Sequence, residues 1–466
     1  MPVRPTTRSP RSPRATRSVP LLLSALLLAT GTLTACGSGS DSDPDTVKVS
    51  FKQSTDNKIR VMDGYLDAMK KQFERDHPGK KVKLVPIKAP DADYYTKLQQ
   101  MLRSPKTAPD LVYEDTFLIN SDITSGYLKP LDPYLSKWKD WDQFIDTAKT
   151  AAKAADGKTY GVPDGTDTRG LWFNKSILKK AGLPTDWQPK SWDEVLDAAR
   201  TIKKKVPGVI PLNVYTGKPG GETSAMQGLE MLLYGTGKDP LYDPQSKKWI
   251  TGSQGFKDAL KFVETVYKEK LGPDVSDALD PNMATRVRGE LLPEGKLAIN
   301  LDGSWLPQDW LKGAGHEWPT WSKELGLAAM PTQHGQAPGK VSMSGGWTWA
   351  VPDKAGNPDL AFEFIKTMQT TANAKRWYIA NSGIAVRKDV AQDPEYVKAQ
   401  PGIKFFTDLV GQTHYRPAYP AYPKVSTAMQ EAMESVTTGD ASVDKAASGY
   451  DDEVKSATDG AVIDKK

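Results

Sequence analysis

The stretch YGVPDGTDTRGLWFNK, Tyr160 to Lys175, opens as a short extended segment and breaks at Pro163 and Gly165, two strong loop formers. Asp164, Asp167 and Arg169 crowd into the break. The chain re-enters an apolar run, Gly170 to Phe173, and leaves through Asn174 into a helix starting near Lys175. Polar side chains thus lie in a loop between two extended segments, with the indole of Trp172 just beyond. The pattern predicts a crossing between two lobes, with ligand groups placed at the crossing. An ordinary charged surface loop has the same composition, so the flanking chain must decide between them.

Upstream, Val47 to Phe51, Val82 to Ile87 and Leu111 to Tyr113 read as strands. Between them lie a helix carrying Ile59, Met62, Leu66, Met69 and Phe73 at helical spacing, and a second helix over Tyr94 to Leu102. Strand–helix alternation predicts an α/β fold with a largely parallel sheet. Ligands of such sheets bind beyond the carboxyl ends of the strands. The loop Lys52 to Asn57, the pair Glu114 and Asp115, and the Asp164–Arg169 loop all fall at such ends. Downstream, Ser191 and Glu194 form a capping box for a helix to about Lys205. Strands are expected over Val209 to Val214, Leu297 to Leu301, Leu325 to Met330 and Ser344 to Val351. A helix over Ser253 to Lys270 and several helices after Pro358 complete the pattern.

A chain of 466 residues exceeds what one hydrophobic core usually supports, so at least two folded units are expected. Its 38% hydrophobic and 26% charged content is that of a protein with a real core. The formal net charge of +5 comes from Arg4, Arg8, Arg11, Arg14 and Arg17; without them 57 basic residues face 57 acidic ones. A neutral remainder has no electrostatic footprint for nucleic acid or anionic lipid. Those arginines precede the short apolar run Val19 to Ala29, the order of a secretory signal. Leu33-Thr34-Ala35-Cys36 followed by Gly37 resembles a bacterial lipobox. That resemblance implies cleavage before Cys36, diacylglycerol on its sulfur, and a location on the outer face of the cell membrane. Cys36 is the only cysteine, so no disulfide forms within the chain. Gly37 to Thr46 reads as a flexible acidic tether.

The four histidines, His77, His316, His334 and His414, form no H-E-x-x-H, and no G-x-S-x-G occurs. No metal site, cofactor or phosphate-binding loop is expected. Glu114 and Asp115 could suggest a glycosidase pair, but neighbouring residues on a strand point to opposite faces. Aromatic residues give the stronger signal. Trp172, Trp305, Trp347, Trp349, Tyr419 and Tyr422 lie at loops or strand ends beside Gly or Pro. Sugar rings stack their C–H faces on indole and phenol, and carboxylates take the hydroxyls. Burial in a core is the competing fate of each Trp.

Four passages, APDLVYED at Ala108 to Asp115, the Tyr160–Lys175 stretch, AINLDGSW at Ala298 to Trp305, and LGLAAMP at Leu325 to Pro331, resemble the family 1 extracellular solute-binding proteins. These are sugar-binding lipoproteins of ABC importers, related to maltose-binding protein. The resemblance implies a two-lobe periplasmic-binding-protein fold, type II-like, with the ligand cleft between the lobes. It implies an oligosaccharide ligand, permease subunits as partners, a monomer, membrane contact only through the anchor, and no catalysis. Glu114 and Asp115 match the first lobe's acidic ligand group, Asp167 an acidic position near the hinge, and Trp305 a stacking aromatic. Tyr419 and Tyr422 fall in the region of another, although YRPAYPAYP departs from the family pattern.

The expected ligand set adds Gln53, Ser54 and Asn57 from the first loop, Arg169 and Trp172 from the crossing, and Asp302, Gly346 and Trp347 from the later strand ends. The expected division is a signal peptide over 1–35, a tether over 36–46, a first lobe from 47–163 and 302–346, and a second from 164–301 and 347–466. A secreted glycoside-active enzyme, a sensor-associated binding protein, and a binder of polyamine or peptide are the alternatives.

Overall fold

Alternation sets the first sheet. In the strand Thr46–Gln53, TVKVSFKQ, the side chains of Val47, Val49 and Phe51 are buried, Lys48 and Lys52 are partly exposed, and Ser50 between Val49 and Phe51 is buried as well. The computed structural model describes residues 43–116, 118–154, 156–238, 240–417 and 419–465. The expected signal peptide, Cys36 and most of the tether lie outside the described residues. Thr46–Gln53 pairs in parallel with Lys81–Lys88 and with Leu111–Asp115. Trp347–Ala350 then joins Leu111–Asp115 antiparallel, and Gly161–Pro163 closes the far edge. The helix Val61–Asp76 covers this sheet with Tyr65, Leu66, Met69 and Phe73, and the helix Pro358–Met368 packs beside it.

The second sheet runs in the order Leu325–Ala328, Arg169–Asn174, Leu297–Gly303, Ile210–Asn213. Every residue of RGLWFN and of LAINLDG is buried, as expected of strands covered on both faces. The helix Trp192–Lys205 starts where the capping box predicts: Ser191 Oγ accepts from Glu194 N at 3.3 Å. The helix Gln254–Lys268 buries Phe256, Leu260, Val263 and Tyr267. The carboxyl-terminal helices Tyr422–Thr438 and Val443–Ala457 pack against it. Two α/β lobes thus stand on two sheets.

The stretch Tyr160–Lys175 runs from the first sheet into the second. The return differs from the expected division. Leu297–Gly303 and Leu325–Ala328 both stay in the second sheet, whereas Trp347–Ala350 belongs to the first. Residues 302–346 therefore follow the second sheet, and the helices Pro358–Met368 and Thr371–Ala380 follow the first. The reason lies at Gly345-Gly346. Gly346 has φ +147°, and a Cβ there would lie 2.6 Å from the carbonyl of Gly165, itself at φ +147°. Two glycines let the outgoing and returning strands touch where they cross. A helical segment, Thr223–Glu230, is absent from the sequence reading; its TSAMQGLE is buried nearly throughout, so no amphipathic period marks it.

Candidate functional site

A cavity of about 320 Å³ lies between the two sheets. From the first sheet and its loops come Ser54, Tyr113, Asp115 and Trp347, and from the crossings Asp164 and Gly346. From the second sheet and its loops come Asp167, Arg169, Tyr215, Glu222, Asp302 and Trp305, with Arg416 from the chain's late return. Eight of the sequence-predicted residues are thus brought together: Ser54, Asp115, Asp167, Arg169, Asp302, Trp305, Gly346 and Trp347.

The remaining predictions are corrected by geometry. Glu114 is fully buried on the opposite strand face from Tyr113 and Asp115, so it points away from the cavity. It faces Asp122 of the helix Ile119–Thr124, and burial, then the nearby Asp122 charge, push its pKa well above the usual range. Burial also raises Asp122 to about 6. Trp172 is 0% exposed, and its indole meets Trp310, Trp321 and Phe406. The Gln53 amide is turned to Asp63, and Asn57 accepts from Lys88 Nζ at 2.6 Å. Tyr419 packs on Tyr242, with ring centroids 4.0 Å apart. Tyr422 is buried, its hydroxyl donating to Glu230 at 2.6 Å with Glu222 3.1 Å away. None of these six lines the cavity.

Two aromatic platforms face the space. Trp347 is half-buried and stacks on Tyr113, with centroids 4.7 Å apart and planes 8° apart; Tyr95 stacks beyond at 6.0 Å. Trp305 is also half-buried, and the Arg169 guanidinium lies 4.7 Å from its ring centroid. Arg169 is held by Asp167 and by the Met343 carbonyl at 3.2 Å, and burial lowers its pKa. Asp167 in turn accepts from Gly345 N at 2.9 Å, tying the charged pair to the crossing. Asp302 accepts from Tyr215 Oη at 2.6 Å and Asn300 Nδ2 at 3.2 Å; burial nonetheless raises its pKa.

Tyr113, Tyr95, Tyr215, Glu222 and Arg416 were missed by sequence reasoning. Strand parity could have found Tyr113, because it shares the face of Asp115. Nothing local marks Arg416, which follows Tyr415 in a segment where the tyrosines draw attention.

Asp164 sits at the crossing, 2% exposed, and accepts from Gln369 Nε2 at 2.9 Å. Burial raises its pKa from 3.8 to about 7. The folded chain therefore holds this proton between about pH 4 and 7, where the unfolded chain has lost it. The stabilising contribution is full near pH 4 and declines as pH rises through 7. Glu230, pushed by burial to about 8, acts with the same sign. Asp164→Asn is expected to melt above the wild type at pH 8 and close to it at pH 4. Melting temperatures of both proteins across pH 4–8 check this; parallel curves would refute it.

Among the described residues no cluster of three His, Cys, Asp or Glu is arranged to hold a metal, and no helix is long and apolar enough to cross a membrane. Residues 58–375 match the family of bacterial extracellular solute-binding proteins. The galactooligosaccharide-binding protein of Bacillus subtilis (strain 168) is 24% identical over 398 residues, 83% of this chain and 86% of its own length. A solute-binding protein of an ABC transporter from Thermotoga lettingae TMO, solved with alpha-D-tagatose, superimposes with a TM-score of 0.76 at 22% identity, covering 89% of this chain and 99% of its own. Maltose-bound T. maritima MalE3 gives a TM-score of 0.74 at 21% identity, covering 88% of this chain and 99% of its own. These two likenesses carry the two-lobe fold.

Proposed function

The chain belongs to the bacterial extracellular solute-binding proteins, and from that premise we propose that its cleft captures a di- or trisaccharide and presents it to the permease subunits of an ABC importer. The observation that carries this reading is the pair of half-buried indoles, Trp305 and Trp347, one from each lobe, lining one cavity among carboxylates and guanidinium groups. Flat C–H faces of successive sugar rings stack on such platforms, and Ser54 and the Asp167–Arg169 pair take hydroxyls beside them. The names of the galactooligosaccharide- and maltose-binding relatives agree with it.

The mechanism is hinge closure without chemistry. The hinge lies at residues 164–168 and 345–346, the first lobe follows the sheet of Leu111–Asp115, and the second follows that of Leu297–Gly303. The protein works as a monomer, held to the outer face of the membrane by lipid on Cys36.

A thermal-shift panel of di- and trisaccharides tests the reading. A true ligand at 100 times Kd adds about 2.7 kcal/mol and raises the melting temperature. Spermidine and short peptides belong in the panel. A shift with spermidine and none with any saccharide would replace the sugar by a cationic ligand.

A further inference from the structure

Arg416 follows the strand Thr413–Tyr415, which pairs with Lys340–Ser344, and that strand packs on the second-lobe helical segments around Met231. Its guanidinium reaches across the cleft. It donates at 2.6 Å to Asp115 Oδ1 and at 3.2 Å to Thr116 Oγ1, both at the end of a first-lobe strand. Its other nitrogen donates at 3.0 Å to Glu222 Oε2 in the second lobe. The side chains of Arg416, Asp115 and Glu222 are only 6%, 9% and 9% exposed. Salt therefore screens this bridge far less than a surface pair.

Each carboxylate has an anchor in its own lobe. Asp115 Oδ2 accepts from Tyr95 Oη at 3.0 Å, and Glu222 accepts from Ser426. The guanidinium lies beside the crossing, 3.1 Å from where a Cβ on Gly345 would stand, so a twist of the lobes there strains the bond to Asp115 and can leave Arg416 with Glu222 and Asp115 with Tyr95. Neither charge is left without a partner, so the contact can break and re-form. In this structure Asp115 is thus bonded by a residue from the opposite lobe.

We propose that Arg416 is a closure latch, bonding Asp115 across the cleft when the lobes are together and thereby setting the closed-to-open ratio of the ligand-free protein. It acts on ligand through Asp115 and the lobe equilibrium, which makes it a positioning residue. The apparent affinity of the cleft then scales with the closed fraction. This rests on the solute-binding reading for its use, but not for its test. Two further contacts, His316 Nε2 to Asp56 at 2.7 Å and Thr55 Oγ1 to Asn282 at 3.1 Å, also join the lobes and are untouched by the variants below.

Spin labels at Lys83→Cys and Lys445→Cys, both exposed and one on each lobe, report the interlobe distance in full-length protein carrying Cys36→Ser. No ligand is added. The parent is expected to hold a dominant short distance. Arg416→Gln and Asp115→Asn should each move population to longer distances, lowering the closed-to-open ratio by about 5- to 150-fold. The double variant should go no further than either single one. Unchanged distances in both single variants, additive shifts, or a parent already at the long distance would each overturn the latch. If Arg416 were only structural, melting would fall while the distances stayed short. Should Arg416→Gln fold poorly, Asp115→Asn carries the test from the other lobe. Because no sugar enters, failure here and failure of the saccharide panel are separate results.

Discussion

Trp172→Ala is expected to cost about 3–5 kcal/mol of stability, the range for removing a large aromatic side chain from a core. Trp172 is 0% exposed in a strand whose six residues are all buried. Its ring meets Trp310 edge-on at 5.9 Å, Trp321 at 6.0 Å and Phe406 at 5.3 Å. Three rigid rings cannot close over the vacated space, so the cavity stays open. The indole Nε1 also donates to the Gly303 carbonyl at 3.1 Å, a bond that Ala removes. Trp172→Phe keeps a ring and loses the donor, so it should fall between Ala and wild type. Denaturant titration of all three proteins, followed by tryptophan fluorescence and circular dichroism, gives the order. A near-normal transition for Trp172→Ala would mean that the second sheet tolerates the loss, contrary to the packing.

The same residue marks how far sequence carries. The strand–helix alternation of the first lobe, the capping box at Ser191 and the crossing at Tyr160–Lys175 are local signals, and local signals are legible. Whether an indole near a crossing faces cleft or core is set by what packs from elsewhere. Trp310, Trp321 and Phe406, far along the chain, decide that Trp172 is core. Strand parity was available for Glu114 and Asp115, and it sends Glu114 inward and Asp115 to the cleft. The expected division crosses at both Gly303 and Gly346, and the first of these crossings is absent, because the strands on either side of Gly303 both pair with Arg169–Asn174. The pairing of Trp347–Ala350 with Leu111–Asp115 sets the return at Gly346. Arg416 was illegible because its meaning depends on Asp115, some 300 residues earlier.

Trp305 should give the opposite outcome to Trp172. Its ring is half-buried on the cavity wall, below the Arg169 guanidinium, and it follows the strand Leu297–Gly303 at a turn. Little of the core depends on it, so Trp305→Ala should melt near the wild type without ligand. Affinity for the saccharide that scores in the panel should fall at least ~30-fold, about 2 kcal/mol, as expected for an aromatic that carries binding energy. Gly303→Ala offers an independent route to the same platform. A Cβ at Gly303 would run into the Trp305 ring, and Gly303 does not have the left-handed φ that bars alanine. The methyl group should therefore displace the indole while the strand persists, weakening binding with Trp305 still present. Calorimetry of both variants against wild type, with melting curves taken without ligand, separates the cases. Unchanged affinity in Trp305→Ala would remove this wall from the binding site. A collapsed melt would make Trp305 a core residue like Trp172. Lost affinity in both variants with intact folding would place a sugar ring against this indole, because the two substitutions share only its position.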